Sequence, residues 1–134
     1  MRDINRKPDN FDWITARAEC SAVTIFEKLK QLVQKDVHAI NERHKGHGVF
    51  VKFISEHSNK FAVTATHERD FQKKTVDFSL ANEEIVIKGV DEQSFTVTVG
   101  LGDDGECRAK IDGQEYDLWQ VRKRALEELF FRGN

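Results

Sequence analysis

Apolar positions along this chain recur at two periods. Between residues 22 and 43 they fall at steps of three and four: Ala22, Ile25, Phe26, Leu29, Leu32, Val33, Val37 and Ile40. Lys28, Lys30, Gln31, Gln34 and Lys35 fill the opposite side. This spacing predicts an amphipathic helix of about six turns. Ser21 stands as its cap, and Thr24 with Glu27 offers a second start one turn later. After Gly48 the period becomes two. The apolar rows Val49/Val51/Phe53, Phe61/Val63/Ala65, Val76/Phe78/Leu80, Ile85/Ile87, Phe95/Val97/Val99/Leu101 and Cys107/Ala109/Ile111 alternate with polar residues and predict six strands. The connections between them carry turn residues and are short enough for hairpins. The stretch FDWITARAEC, residues 11 to 20, also alternates, through Ile14, Ala16, Ala18 and Cys20, and predicts a strand ahead of the long helix. Asp117 and Gln120 form a capping box that opens a final helix, with Leu118, Trp119, Arg122, Ala125, Leu126, Leu129 and Phe130 as its inner stripe.

Each strand has one apolar row and one row of Thr, Ser, Lys and Asp, so one face of the sheet is buried and the other is wet. The expected fold is α+β in two layers, an antiparallel sheet of about six or seven strands in β-α-β6-α order, with two helices on one face. Residues 1–10, charged and aperiodic, read as a flexible arm, and residues 11–134 as a single domain. The element order is similar to that of the helix-grip, or START-like, fold of lipid-binding and polyketide-cyclase-like proteins, in which a curved sheet wraps a C-terminal helix and leaves a cavity. That likeness implies a pocket between sheet and helices. It departs from the fold in one respect, because residues 22–43 form one helix where two short ones are usual.

Charge and cysteine content restrict the function classes. The chain carries 21 basic and 23 acidic residues, a net charge of -2, so the field that would draw a nucleic-acid backbone is missing and nucleic acid is disfavoured as a partner. Its two cysteines, Cys20 and Cys107, lie far apart in the chain with no second ligand at metal spacing. They read as reduced thiols of a cytoplasmic protein. No apolar run reaches the ~20 residues that a membrane helix needs, and the first ten residues lack the apolar core of a signal peptide.

Candidate chemistry is sparse. The stretch NERHKGHG, Asn41 to Gly48, holds His44 and His47 near His38, but each of its residues suits a helix ending: cations beside the last carbonyls and glycines for the left-handed turn. The usual helical metal pair is spaced four apart, so no metal is assigned. GDDGE, Gly102 to Glu106, reads as a hairpin turn rather than a calcium loop, which needs about twelve residues of spaced ligands. Cys107 and His67 fall in register on apolar strand rows, and Arg122 puts a charge on an otherwise apolar helix stripe. Trp119 is expected to seal one end of the core, and Trp13 to do the same from the first strand.

The pattern therefore points to a noncatalytic binding module without cofactor or metal. It would hold a small apolar ligand between sheet and helices, or a protein partner on the sheet surface. The ligand-binding candidates are Trp119, Arg122, His67, Cys107, Phe78 and Phe95, and no catalytic residue is assigned. Two rival readings are a small pocket enzyme of cyclase or hydrolase type using His67, Cys107 or Arg122, and a structural or regulatory homo-oligomer subunit.

Overall fold

The computed structural model describes residues 7–131. The element order is α1 (Trp13–Glu19), α2 (Ala22–Arg43), β1 (Val49–His57), β2 (Lys60–His67), β3 (Lys73–Ala81), β4 (Glu84–Lys88), β5 (Ser94–Leu101), β6 (Cys107–Ile111), β7 (Gln114–Tyr116) and α3 (Leu118–Phe131). The seven strands pair in chain order as one antiparallel meander. Consecutive strands are joined by connections of two to five residues, and at Asn82 and Glu83 both residues adopt positive φ, 53° and 61°, as a primed hairpin turn requires.

The register lines up the apolar rows. Phe61 lies opposite Phe78, Phe78 opposite Ile87, and Ile85 opposite Val97. This continuous apolar face is covered by the stripe of α2, where Phe26, Leu29, Val33, Val37 and Ile40 are buried, and by Val121, Ala125, Leu126 and Leu129 of α3. The interior is filled by the side chains themselves. Phe61 stacks on Phe78 with ring centroids 4.5 Å apart and meets Phe26 at 5.2 Å and Phe53 at 5.4 Å. Aromatic pairs at this distance add about 0.5–1.5 kcal/mol beyond area burial.

Local chemistry fixes the ends of the elements. The Ser21 hydroxyl accepts from the Thr24 amide at 3.1 Å and so selects the earlier of the two starts for α2. At the other end the His44 amide donates to the Ile40 carbonyl, and Gly46 and Gly48 take positive φ, so NERHKGHG closes the helix and turns the chain into β1. Asn41, in the last turn of α2, reaches the outer edge of the sheet. Its side chain donates to the Val51 carbonyl at 2.8 Å and accepts from the Val51 amide at 2.9 Å. An edge strand exposes just such backbone pairs to foreign strands, and Asn41 occupies one of them. The opposite edge, β7, is only three residues long.

Three expectations are corrected. Residues 13–19 form a helix, not a strand. Asp12 caps it by accepting from the Thr15 amide and hydroxyl at 3.1 and 2.7 Å, and none of its residues is buried, so the alternation of small residues reports no pleated surface. The order is therefore α-α-β7-α, and the likeness to the helix-grip order loses its first strand. A seventh strand follows the sixth because Asp112 and Gly113, both at positive φ, make a two-residue hairpin rather than a stop.

The two cysteines are not reduced thiols. Cys20 and Cys107 form a disulfide, with Cα atoms 5.4 Å apart, because the fold brings the α1–α2 junction against the start of β6. Around it the N-terminal segment straps the β5–β6 turn. Lys7 pairs with Glu106 and lies over the Phe11 ring, and a Cβ on Gly105 would stand 2.9 Å from the Lys7 side chain. Of the expected N-terminal arm, residues 1–6 lie outside the described residues.

A bridge spanning 87 positions removes chain entropy of roughly 4–5 kcal/mol from the unfolded state in the loop-closure model. The Cys20→Ser/Cys107→Ser variant is expected to lose about 2–5 kcal/mol of unfolding free energy in urea titrations, and the wild type in reductant to lose the same amount. Equal stability with and without reductant would contradict the bridge.

Candidate functional site

One surface groove lies between the two long helices, α2 and α3. Asp36, Ala39, Ile40 and Arg43 of α2 face Trp119, Arg122, Leu126 and Phe130 of α3 across a groove of about 400 Å³. Its floor is apolar because Ile40 and Leu126 belong to the core, at 4% and 2% exposure. Its ends are marked by large aromatics that the fold leaves in water, Trp119 at 55% and Phe131 at 49% exposure. These residues sit twelve apart on α3, so the groove runs roughly 18 Å along the helix at ~1.5 Å per residue.

Arg122 crosses the groove. Its Nε donates to Asp36 Oδ2 at 2.7 Å and its Nη2 to Oδ1 at 3.4 Å, tying α3 to α2 through a partly buried bidentate pair. The charge on the α3 stripe therefore has a definite role: it does not face the sheet but clamps the two helices. Val121, one position earlier, takes the fully buried place in that stripe.

A second, more polar cleft opens where α2 ends. His44, His47, His67, Glu68, Arg69 and Asp70 line it, with Leu129 and Phe130 of α3 behind. His44 Nε2 lies 3.0 Å from the Phe130 carbonyl oxygen and serves the C-terminal turn of α3. The backbone of His67 closes the β2–β3 loop, its amide donating to Gln72 and its carbonyl accepting from Phe71. Among the described residues no three His, Cys, Asp or Glu side chains come together as a metal ion would need.

The remaining candidates are dispersed. Phe78 is fully buried in the ring stack at the centre of the core. Phe95 lies beneath the Arg124 guanidinium, 4.7 Å from it, beside the β4–β5 loop. Cys107 ends its apolar row exposed and bonded to Cys20. Trp119 and Trp13, expected to seal the core, are both more than half exposed. Of the six candidates, the structure brings only Trp119 and Arg122 together. Asp36, Arg43 and Phe131, which complete the groove, were not singled out by the sequence. The signal was present in the outer faces of two helices, but it becomes a site only once the helices lie side by side.

At the β5–β6 turn, Asp104 is held below the ordinary carboxylate range, chiefly by the Glu106 amide that it accepts and then by the Arg108 guanidinium. No helix among the described residues is long and apolar enough to cross a membrane. No family model matches the chain, and no curated protein or solved structure shows significant similarity to it.

The clamp gives a directional expectation. Asp36→Ala strands the Arg122 guanidinium in a partly buried place and should cost about 1–2 kcal/mol, between the values for exposed and buried pairs. The Asp36→Leu/Arg122→Leu pair should recover most of that loss in a thermal or urea melt. Two single variants whose costs simply add would show that the pair does not act as a unit.

Proposed function

We propose that the chain is a noncatalytic binding module that receives an amphipathic helical segment of a protein partner in the groove between α2 and α3. The observation that carries this reading is the pair Trp119 and Phe131, large aromatics held in water at the two ends of a groove with an apolar floor. Exposed aromatics beside a buried apolar floor are the side chains that dominate binding energy in protein interfaces. The length of the groove matches about three turns of helix, and an incoming helix would place anchors at i, i+3 or i+4, and i+7. The rim carries both signs, Arg43 and Lys123 against Glu127, which suits a segment with charged flanks.

A ligand held between sheet and helices finds less support, because Phe26, Phe61 and Phe78 occupy that space with one another. A pocket enzyme likewise finds little, since His67, Cys107 and Arg122 lie in three separate places. The disulfide favours an oxidising compartment over the cytoplasm as the place where the module works.

Selection of helical peptides from a displayed library against the wild-type protein, with Trp119→Ala/Phe131→Ala as the counter-target, tests this. Both side chains are half exposed, so the variant should keep its stability within about 1 kcal/mol. The selected peptides should lose about 2 kcal/mol or more of binding free energy on it. Peptides that bind the variant equally well would contradict the groove. A wild-type dimer that the same substitutions dissolve would give the groove to a second copy of the chain.

A further inference from the structure

The face of the sheet opposite the helices is uncovered, and its charge does not follow that of the chain. At its regularly paired positions stand Lys52, Lys60, Lys73, Lys88, Arg108 and Lys110, against Asp77, Glu84 and Glu115. The face is thus basic in a chain whose net charge is -2. Lys88 and Arg108 have carboxylate partners in Glu92, Asp104 and Glu115, but among the described residues none pairs with Lys52, Lys60, Lys73 or Lys110.

The imbalance is greatest over β1, β2 and β3. There Phe50, Thr66 and Lys73 form one cross-strand row, and Lys52, Thr64 and Thr75 form the next. Thr64 and Thr75 bond to each other through their hydroxyls at 3.1 Å, and Phe50 is 59% exposed. From strand and residue spacings, the Cα atoms of Lys52 and Lys73 are roughly 12 Å apart. That distance fits charges repeated along an extended polymer better than a single small anion.

The geometry points to this face as a binding surface for an anionic polysaccharide bearing sulfate or carboxylate groups. The lysines supply the charge complement, the threonine rows supply hydroxyls that both donate and accept, and the Phe50 ring offers a flat apolar platform for one sugar face. A single-stranded nucleic acid would call for several stacking aromatics, and Phe50 alone serves on these rows. The face is separate from the groove between α2 and α3, so the two can succeed or fail independently.

Binding of heparin fragments and of alginate fragments, measured by calorimetry over a range of ionic strength, tests the assignment, with polyglutamate and oligothymidylate as competing polyanions. At least one polysaccharide should bind, with affinity falling linearly on a log–log salt plot; binding of alginate shows that carboxylates suffice, and binding of heparin alone assigns the sulfates. Lys52→Glu/Lys73→Glu should weaken it about tenfold or more and make the salt slope shallower by roughly two. Lys28→Glu/Lys35→Glu, with the same net charge but placed on α2, should leave both unchanged. The assignment is overturned by no binding of either polysaccharide at low ionic strength, by equal losses in the two variants, or by polyglutamate or oligothymidylate binding as tightly.

Discussion

Everything in this fold depends on burying one face of a meander that has only one apolar face. Seven strands in sequence present a single continuous apolar row set, and no second sheet exists among the described residues to cover it. The stripes of α2 and α3 do so. The central stack of Phe61 on Phe78, closed by Phe26 from α2, is where sheet and helix layers meet. Because side chains of one layer fill the gaps of the other, that interface is used up by folding, and the surfaces left open are the outer ones.

Two outer surfaces result, and they differ in chemistry. The helix layer offers an apolar groove with aromatic ends, crossed by the Arg122–Asp36 clamp. The sheet offers hydroxyl and lysine rows. The same alternation that drives one row of each strand inward obliges the other row outward, so that the residues of the polar row are gathered on one face. The disulfide and the strap around it act at a third place. They hold α1, a helix with no buried residue of its own, against the β5–β6 end of the sheet. Without that bond, little beyond Lys7, Phe11 and Gly105 would keep the N-terminal segment in position.

The sequence was legible where an element had to bury a stripe. Residues 22–43 and the six longer strands could be read because each repeats its apolar period over several turns or several pairs. Asp117 and Gln120 marked the last helix correctly, and the Asp117 amide donates to the Gln120 side chain at 2.8 Å. Where burial makes no demand, the period misleads. α1 buries nothing, so the spacing of its alanines carried no structural information, whereas the Asp12 cap did. β7 is too short to show a period, and only its Asp112-Gly113 turn announces it. The disulfide and the groove are properties of proximity. Cys20 with Cys107, and Asp36 with Arg122, lie far apart along the chain, and no spacing rule connects them before the layers are assembled. The same holds for Trp119, whose size suggested a core plug until the helix turned it outward.

The central claim is that the space between sheet and helices is filled rather than hollow. It is tested most directly by the unfolding free energy of Phe61→Ala in denaturant titrations. A ring packed on three others should cost about 3–5 kcal/mol to remove, because it leaves a cavity that its neighbours close only in part. A loss below about 1 kcal/mol would mean that Phe61 lines an open pocket, and the interior would then have to be considered as the binding site.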